Sequence, residues 1–496
     1  MILRYQSDTS IYSYPAYPGA VSSPLYSVQS DNTSIFTEKL TKYSGEMEVH
    51  YAHFSLNGTA NIQVTVNESF NSYTLSPKSR NIQASRSGDT ISFTTGPNYL
   101  VLAVDSKELL FILIDSPEVN PPTLGDSNVK NILDNGVDNT GGRLETSRIQ
   151  SAINTASGAS QNILYFPAGK YLVGELFLKS NMTMYLEGGA ILYGSDNKSD
   201  FNTGSGGVNI EGMQHALIRI LNCNNTKLIG RGVIDGNGKL IRSRGMNTAV
   251  LKMDTSSDIL VDGIISRDSS YWNTIPYRCD RVEIRNYKVI NCRPTSTTWN
   301  NTDGVNYDEC TNSTLYNAFL YGGDDNMAVK NEVQSSTVNC RNLHHEKIVT
   351  YSNSVGCKIG TKTMGQTMDN IVFKDIDIVA AHRAMAIDAF DTATITNIRF
   401  EDIRVEYAKD ILIGIDLTGK PSWRDTENEC IVRDTYFTNV SSDSRSVVTL
   451  KGESSTYNID GVHFDNFRVQ GKPVTSTSDS DANWSINSYA YNIYFD

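Results

Sequence analysis

From about residue 162 to its end this chain repeats one short theme, and few folds can accommodate such a repeat. Val282-Glu283-Ile284-Arg285-Asn286-Tyr287-Lys288-Val289 has counterparts in Asn370 to Ile378, Asn397 to Val405 and Val462 to Val469. Apolar and polar residues alternate in each, the two-residue period of a strand with one face buried. The copies recur at roughly 25–30 residues or multiples of that. A unit of two or three strands with almost no helix cannot bury its apolar face alone, whereas stacked copies can, which is the logic of a parallel β-helix. A second β-sandwich would need clearer hairpin turns, and several sandwiches to fill this length. The expected fold class is all-β: an N-terminal β-sandwich over residues 1–122, then a right-handed parallel β-helix over 123–496.

The sandwich expectation rests on short alternating runs such as Asn61-Ile62-Gln63-Val64-Thr65-Val66. Turn signals separate them at Asn57-Gly58, Ser87-Gly88-Asp89 and Gly96-Pro97-Asn98. They suggest an antiparallel arrangement. Glu118-Val119-Asn120-Pro121-Pro122 reads as a stiff linker. Glu145 to Ala156 is the one convincing helix, with Ile149, Ala152, Ile153 and Ala156 on one face and Thr146 or Ser147 as N-cap. A helix there would cap the open end of the coil.

A formal net charge of −12 argues against nucleic acid or an anionic membrane as partner. Only 20 % of residues are charged, while Ser, Thr, Asn and Tyr abound, which suits an extracytoplasmic protein with hydrogen-bonding surfaces. No apolar run approaches the ~18 residues of a membrane span. Residues 1–20 lack a signal-peptide pattern, so a secreted location rests on composition alone. The seven cysteines lack CxxC spacing, against a zinc site; Cys279–Cys292 and Cys310–Cys340 could pair, or the thiols could lie free in a core. Sequons such as Asn57, Asn181 and Asn439 carry little weight in so Asn-, Ser- and Thr-rich a chain.

The chemistry concentrates in two strings, Asn301-Thr302-Asp303-Gly304 and Gly322-Gly323-Asp324-Asp325, with Asp324 following Asp303 by 21 residues. That spacing is close to one coil turn, so the three carboxylates should meet on adjacent rungs. Packing like charges is costly, and close carboxylates retain a proton near neutrality, giving an acid and a base from identical side chains. Glycoside hydrolysis needs that pair. A calcium or magnesium site is the functional rival; ordinary turn aspartates explain one of the three well and all three poorly.

These strings resemble the motifs of the polygalacturonase-like glycoside hydrolases, family 28, in the pectate-lyase-like β-helix superfamily. Asn301-Thr302-Asp303-Gly304 matches the first motif and Gly323-Asp324-Asp325-Asn326-Met327-Ala328-Val329-Lys330 is similar to the second. The resemblance implies an inverting hydrolase of polysaccharides that needs no metal or other cofactor, with Asp324 as general acid and Asp303 and Asp325 holding the attacking water. It makes Asn301, Lys330 and Lys358 substrate-binding candidates.

Two departures stand out. The family's Gly-His-Gly falls at Ser354-Val355-Gly356, and its uronate-gripping Arg-Ile-Lys at Ala386-Ile387-Asp388. Losing two basic residues and gaining Asp388 favours a neutral glycan, since an acidic sugar needs a cation; Lys358, Lys330 or Arg383 could substitute. The layout is also similar to the dextranase and isopullulanase family, family 49, so an α-glucan is the alternative substrate. A non-catalytic carbohydrate-binding β-helix and a calcium-dependent lyase are the alternatives of other classes.

His344-His345 lie about one rung after Asp324 and could replace the missing histidine. Trp272, Trp299 and Tyr307 are candidates to stack on sugar rings, Asp388 to bind a hydroxyl, and Asp391 to serve either a sugar or a turn. No P-loop, Rossmann fingerprint, HExxH or GxSxG is present.

Overall fold

The computed structural model describes residues 9–40, 48–201, 208–210, 212–291, 301–332, 339–419, 421 and 428–496. Among the described residues, thirty strands from Val129–Asn131 to Ala490–Phe495 form one coil paired almost entirely in parallel. The repeats noted in the sequence stack in register, Ile371 on Ile398 and Phe373 on Phe400. Their inward residues make a ladder of like on like: the rings of Phe373, Phe400, Phe437 and Phe464 stack at 5.0–5.2 Å. Such offset stacks add to the area they bury.

Long strands bend rather than stop. Asp280–Ile290 pairs with Ser257–Asp262 through its first half and Ile265–Arg267 through its second, with Asn286 at φ 47° between them. Asn tolerates that left-handed conformation, and Asn317 on the next rung donates to its side chain at 2.7 Å. Each turn thus presents three faces. The third face, through Thr274–Tyr277, Val305–Asp308, Met327–Asn331 and Val355–Thr363, carries the acidic strings at its entry.

The helix spans Thr146–Ala156 and buries the four expected apolar residues in the coil's core. Its cap differs from expectation: Glu145 occupies the cap position without a side-chain cap bond, and the Thr146 hydroxyl accepts the Gly174 N–H at 2.7 Å instead. The described cysteines follow the second of the two readings, free thiols in the core. Cys310 and Cys340 lie on successive rungs yet form no disulfide; each buried thiol donates to a backbone carbonyl, at 3.3 Å. Cys279 is likewise a free thiol, and Cys292 lies outside the described residues. No helix of the described residues is long and apolar enough to cross a membrane.

The N-terminal part holds a six-stranded and a five-stranded sheet around a shared apolar core. Pairing is antiparallel except between Val49–Asn57 and Leu109–Asp115, which run parallel. These two strands are far apart in sequence, so no hairpin dictates their direction. The outer face of that sheet packs on the coil, with Phe111 against Phe319 and Tyr321. Two ionic clusters are sealed in the contact. Arg267 donates to Asp235 at 2.7 Å, Glu38 at 3.0 Å and the Tyr51 hydroxyl at 2.8 Å. Asp115 accepts from Lys288 at 2.6 Å and from Tyr99 at 2.5 Å. Breaking a buried network strands its partners, so Arg267→Met is expected to destabilise the chain by about 3–5 kcal/mol in a denaturant titration; an unchanged midpoint would refute the clamp.

Candidate active site

Asp303 and Asp325 are brought together by register. Val305 pairs with Met327 and Asp308 with Lys330, an offset of 22 residues. Asp303 therefore lies over Asp325, and Asp324, which the 21-residue spacing had set opposite Asp303, is the residue displaced by the bend at Gly323–Asn326. The rungs approach closely here. A Cβ on Gly304 would stand 2.3 Å from the Asn326 carbonyl oxygen, and one on Gly322 would stand 2.1 Å from Asn326 Oδ1. Only glycine fits at either place.

Each carboxylate has its own surroundings. Asp303, 2 % exposed, accepts from Asn306 Nδ2 at 2.8 Å and from Lys330 Nζ at 3.3 Å, both at Oδ2. Among the described residues nothing donates to its Oδ1. Asp325, 4 % exposed, accepts from Lys358 Nζ at 2.7 Å and from the Ser354 hydroxyl at 3.0 Å. Asp324 is the least buried, and among the described residues its carboxylate accepts the Asn301 N–H, at 2.6 Å.

Burial, with repulsion from Asp324 and Asp325, pushes the Asp303 carboxyl up to about 8 against the pull of Lys330. Burial and Asp325 raise Asp324 too. Burial also opposes ionisation of Asp325, but the Lys358 and Lys330 ammoniums prevail and hold it below the usual carboxylate range. Asp303 and Asp324 thus titrate as a pair above an ionised Asp325.

The remaining candidates divide. Lys330 reaches Asp303 and lies 3.4 Å from the centre of the Trp272 ring, so one Trp272 face is already occupied by a cation. Asp388 accepts from Arg383 at 2.5 and 2.9 Å and stands 3.6 Å from Lys358. Asn301 contributes its backbone N–H to Asp324.

Tyr307 is not a sugar platform. It sits in the apolar core, its hydroxyl donating to the Thr314 carbonyl at 2.8 Å. It lies between outward Asn306 and Asp308 and so points inward by strand alternation. His345 is core as well, stacked on Phe373 at 4.7 Å, and burial lowers its pKa to about 3. His344 pairs with Thr314 on a different face of the coil and stands 3.5 Å from Glu346. Neither fills the family's histidine position, which Val355 occupies, buried. Asp391 accepts the Thr363 N–H at 2.7 Å, a turn role. Trp299 lies outside the described residues.

Asn306 and Ser354 were not singled out from the sequence. The signal for Asn306 was its place three residues after Asp303 on an outward position; for Ser354 it was the start of the altered Gly-His-Gly string.

The sequence profile described as Glycosyl hydrolases family 28 matches residues 157–487. The chain belongs to that family. It is a glycoside hydrolase of the polygalacturonase-like type, which sets aside the non-catalytic alternative. It is 25 % identical over 372 residues to an endo-polygalacturonase of Pectobacterium carotovorum subsp. carotovorum, covering 69 % of this chain and 86 % of that one. It is 29 % identical over 219 residues to a probable polygalacturonase of Vitis vinifera, a match spanning 40 % of this chain and less than half, 43 %, of that relative. Among solved structures, an exopolygalacturonase from Thermotoga maritima superposes with TM-score 0.61 at 18 % identity over 75 % of this chain and 94 % of that one. Dex49A from Penicillium minioluteum superposes with TM-score 0.58 at 13 % identity over 97 % and 96 %. Both structural likenesses speak for the fold.

Proposed function

We propose that this family 28 enzyme cleaves a polysaccharide with inversion, and that the sugar on the leaving-group side of the scissile bond is neutral. One observation supports both parts: among the described residues, the three cations around the trio, Lys330, Lys358 and Arg383, are each already held by an aspartate. Lys330 pairs with Asp303, Lys358 with Asp325, and Arg383 with Asp388.

Charge counting supports Asp324 as the proton donor. With Asp303 and Asp325 each paired with a lysine, and Asp388 with Arg383, the trio and its lysines are neutral together when they hold one proton. Asp303 and Asp324, both raised, share it, and Asp324, which has no ion-pair partner among the described residues, delivers it. Asp324 is also the member nearest solvent, where a leaving oxygen can receive that proton. Asp325, held ionised, and Asp303, whose buried Oδ1 receives no hydrogen bond among the described residues, bind and deprotonate the water that attacks the opposite face of the ring.

A uronate would need a free cation. Here Asp388 stands where the family grips the carboxylate, and it engages both Arg383 and Lys358. It is therefore suited to accept hydrogen bonds from neutral hydroxyls. Reducing-end release should be measured on polygalacturonate, dextran and pullulan, with Asp324→Asn as control. Release from a neutral glucan supports the reading and leaves the dextranase-type substrate standing. Release from polygalacturonate alone would overturn the neutral-sugar part while leaving the acid–base assignment intact.

A further inference from the structure

The third face of the coil, which forms the floor of the site, does not continue as an open groove on the N-terminal side of Asp303. Leu251 pairs with Thr274 and Thr274 with Val305, so Ala249 and Trp272, each two residues earlier, stand on the successive rungs beside Asp303. Ile210 and Met213 pack over them, bridged to each other in a tight turn, and join an apolar cluster with Ile275 and Tyr277. Met213, Ala249 and Tyr277 have no exposed surface, and Trp272 keeps 5 %.

The turn is anchored from below. Lys252, fully buried, donates to the carbonyls of Val208 and Met213, the latter at 3.2 Å. Farther along, the floor is filled by the chain's own charges: Arg219 pairs with Asp254 at 2.9 Å and with Glu175 at 3.6 Å. No sugar can reach floor residues that are covered by an apolar turn and already spent on internal ion pairs. The remaining face of Trp272 belongs to that cluster, since Lys330 holds the other.

We infer that Ile210, Met213 and Trp272 form a wall that ends the groove one rung before Asp303, so that the enzyme works from a chain end and releases one short product of fixed length. One rung is ~4.8 Å, about the length of one sugar residue, so the wall stands within about one ring's length of the trio along the coil. The inference rests on the hydrolytic reading above and adds to it the mode of attack.

Two measurements test it, chosen to fail separately. On whichever polymer of the panel is cleaved, product lengths should be followed by chromatography from the first per cent of conversion. A single short product, with viscosity falling only in proportion to bonds cleaved, is expected. In the Ile210→Gly/Met213→Gly double variant longer products should appear. A ladder of oligosaccharides from the wild type at the outset, with a collapse in viscosity, would overturn the wall. Hydroxyl-radical footprinting of the substrate-free chain reads the wall without turnover: Met213 and Trp272 should be protected relative to exposed Tyr494, and equal oxidation would overturn it. A chain inert on every polymer would sink the hydrolytic reading and chain-end attack with it, while the footprint would still decide whether the wall exists.

Discussion

Asp324→Asn should lower kcat by about 10²–10⁴-fold, the contribution expected of a general acid, and should leave the fold intact. The amide oxygen can still accept the Asn301 N–H that holds the side chain. The substitution also imitates the protonated state that burial and Asp325 already favour there. Thermal stability should therefore be unchanged or slightly higher at neutral pH. Activity within tenfold of the parent enzyme, in a folded variant, would remove Asp324 from the acid role. Loss of activity together with loss of the folding transition would say only that the bend had collapsed, which is why both are measured.

Lys358→Met has the next largest consequence, because it removes the cation that sets the charge on Asp325. The parent Asp325 is held below the usual carboxylate range, so its pairing stabilises the fold above that range and the contribution is lost as pH falls through it. Without Lys358, the largest stabilising partner of Asp325, burial is opposed by Lys330 and the Ser354 hydroxyl, and the Asp325 carboxyl moves up. The acidic limb of the kcat/KM profile should move to higher pH, and the orphaned carboxylate should cost about 3–5 kcal/mol of stability. Asp388 loses a second neighbour at 3.6 Å but keeps Arg383. An acidic limb that stays in place would mean that Asp325 owes its ionisation to something else.

How much of this was readable in the sequence depends on how local each feature is. The coil was legible because its signal repeats: Phe373, Phe400, Phe437 and Phe464 occupy one column, and every rung restates the same alternation. Tyr307 and His345 could have been placed in the core by the same parity, since each falls on an inward position of its strand. The trio's partition was not legible. The bend after Gly322 makes the rung 22 residues long and moves Asp325, not Asp324, into register with Asp303. The approach of Lys358 to Asp388 is a contact between neighbouring strands, fixed by stacking, whereas Arg383 reaches Asp388 from five residues away within the one strand Thr367–Ala389. Arg267 and Lys288 do not stand out in the sequence, since Lys288 shares its strand with Arg281 and Arg285, and only the docked N-terminal sheet supplies Glu38 and Asp115 to explain them.

The central claim, that Asp325 and Asp303 drive water onto the anomeric carbon while Asp324 protonates the leaving oxygen, is tested most directly by proton NMR of the sugar released in the first turnovers. The account predicts that the new reducing end appears first as the anomer opposite to that of the bond cleaved, and only later equilibrates. A product that first appears with the configuration of the cleaved bond would require a covalent intermediate on one of these aspartates and would contradict it.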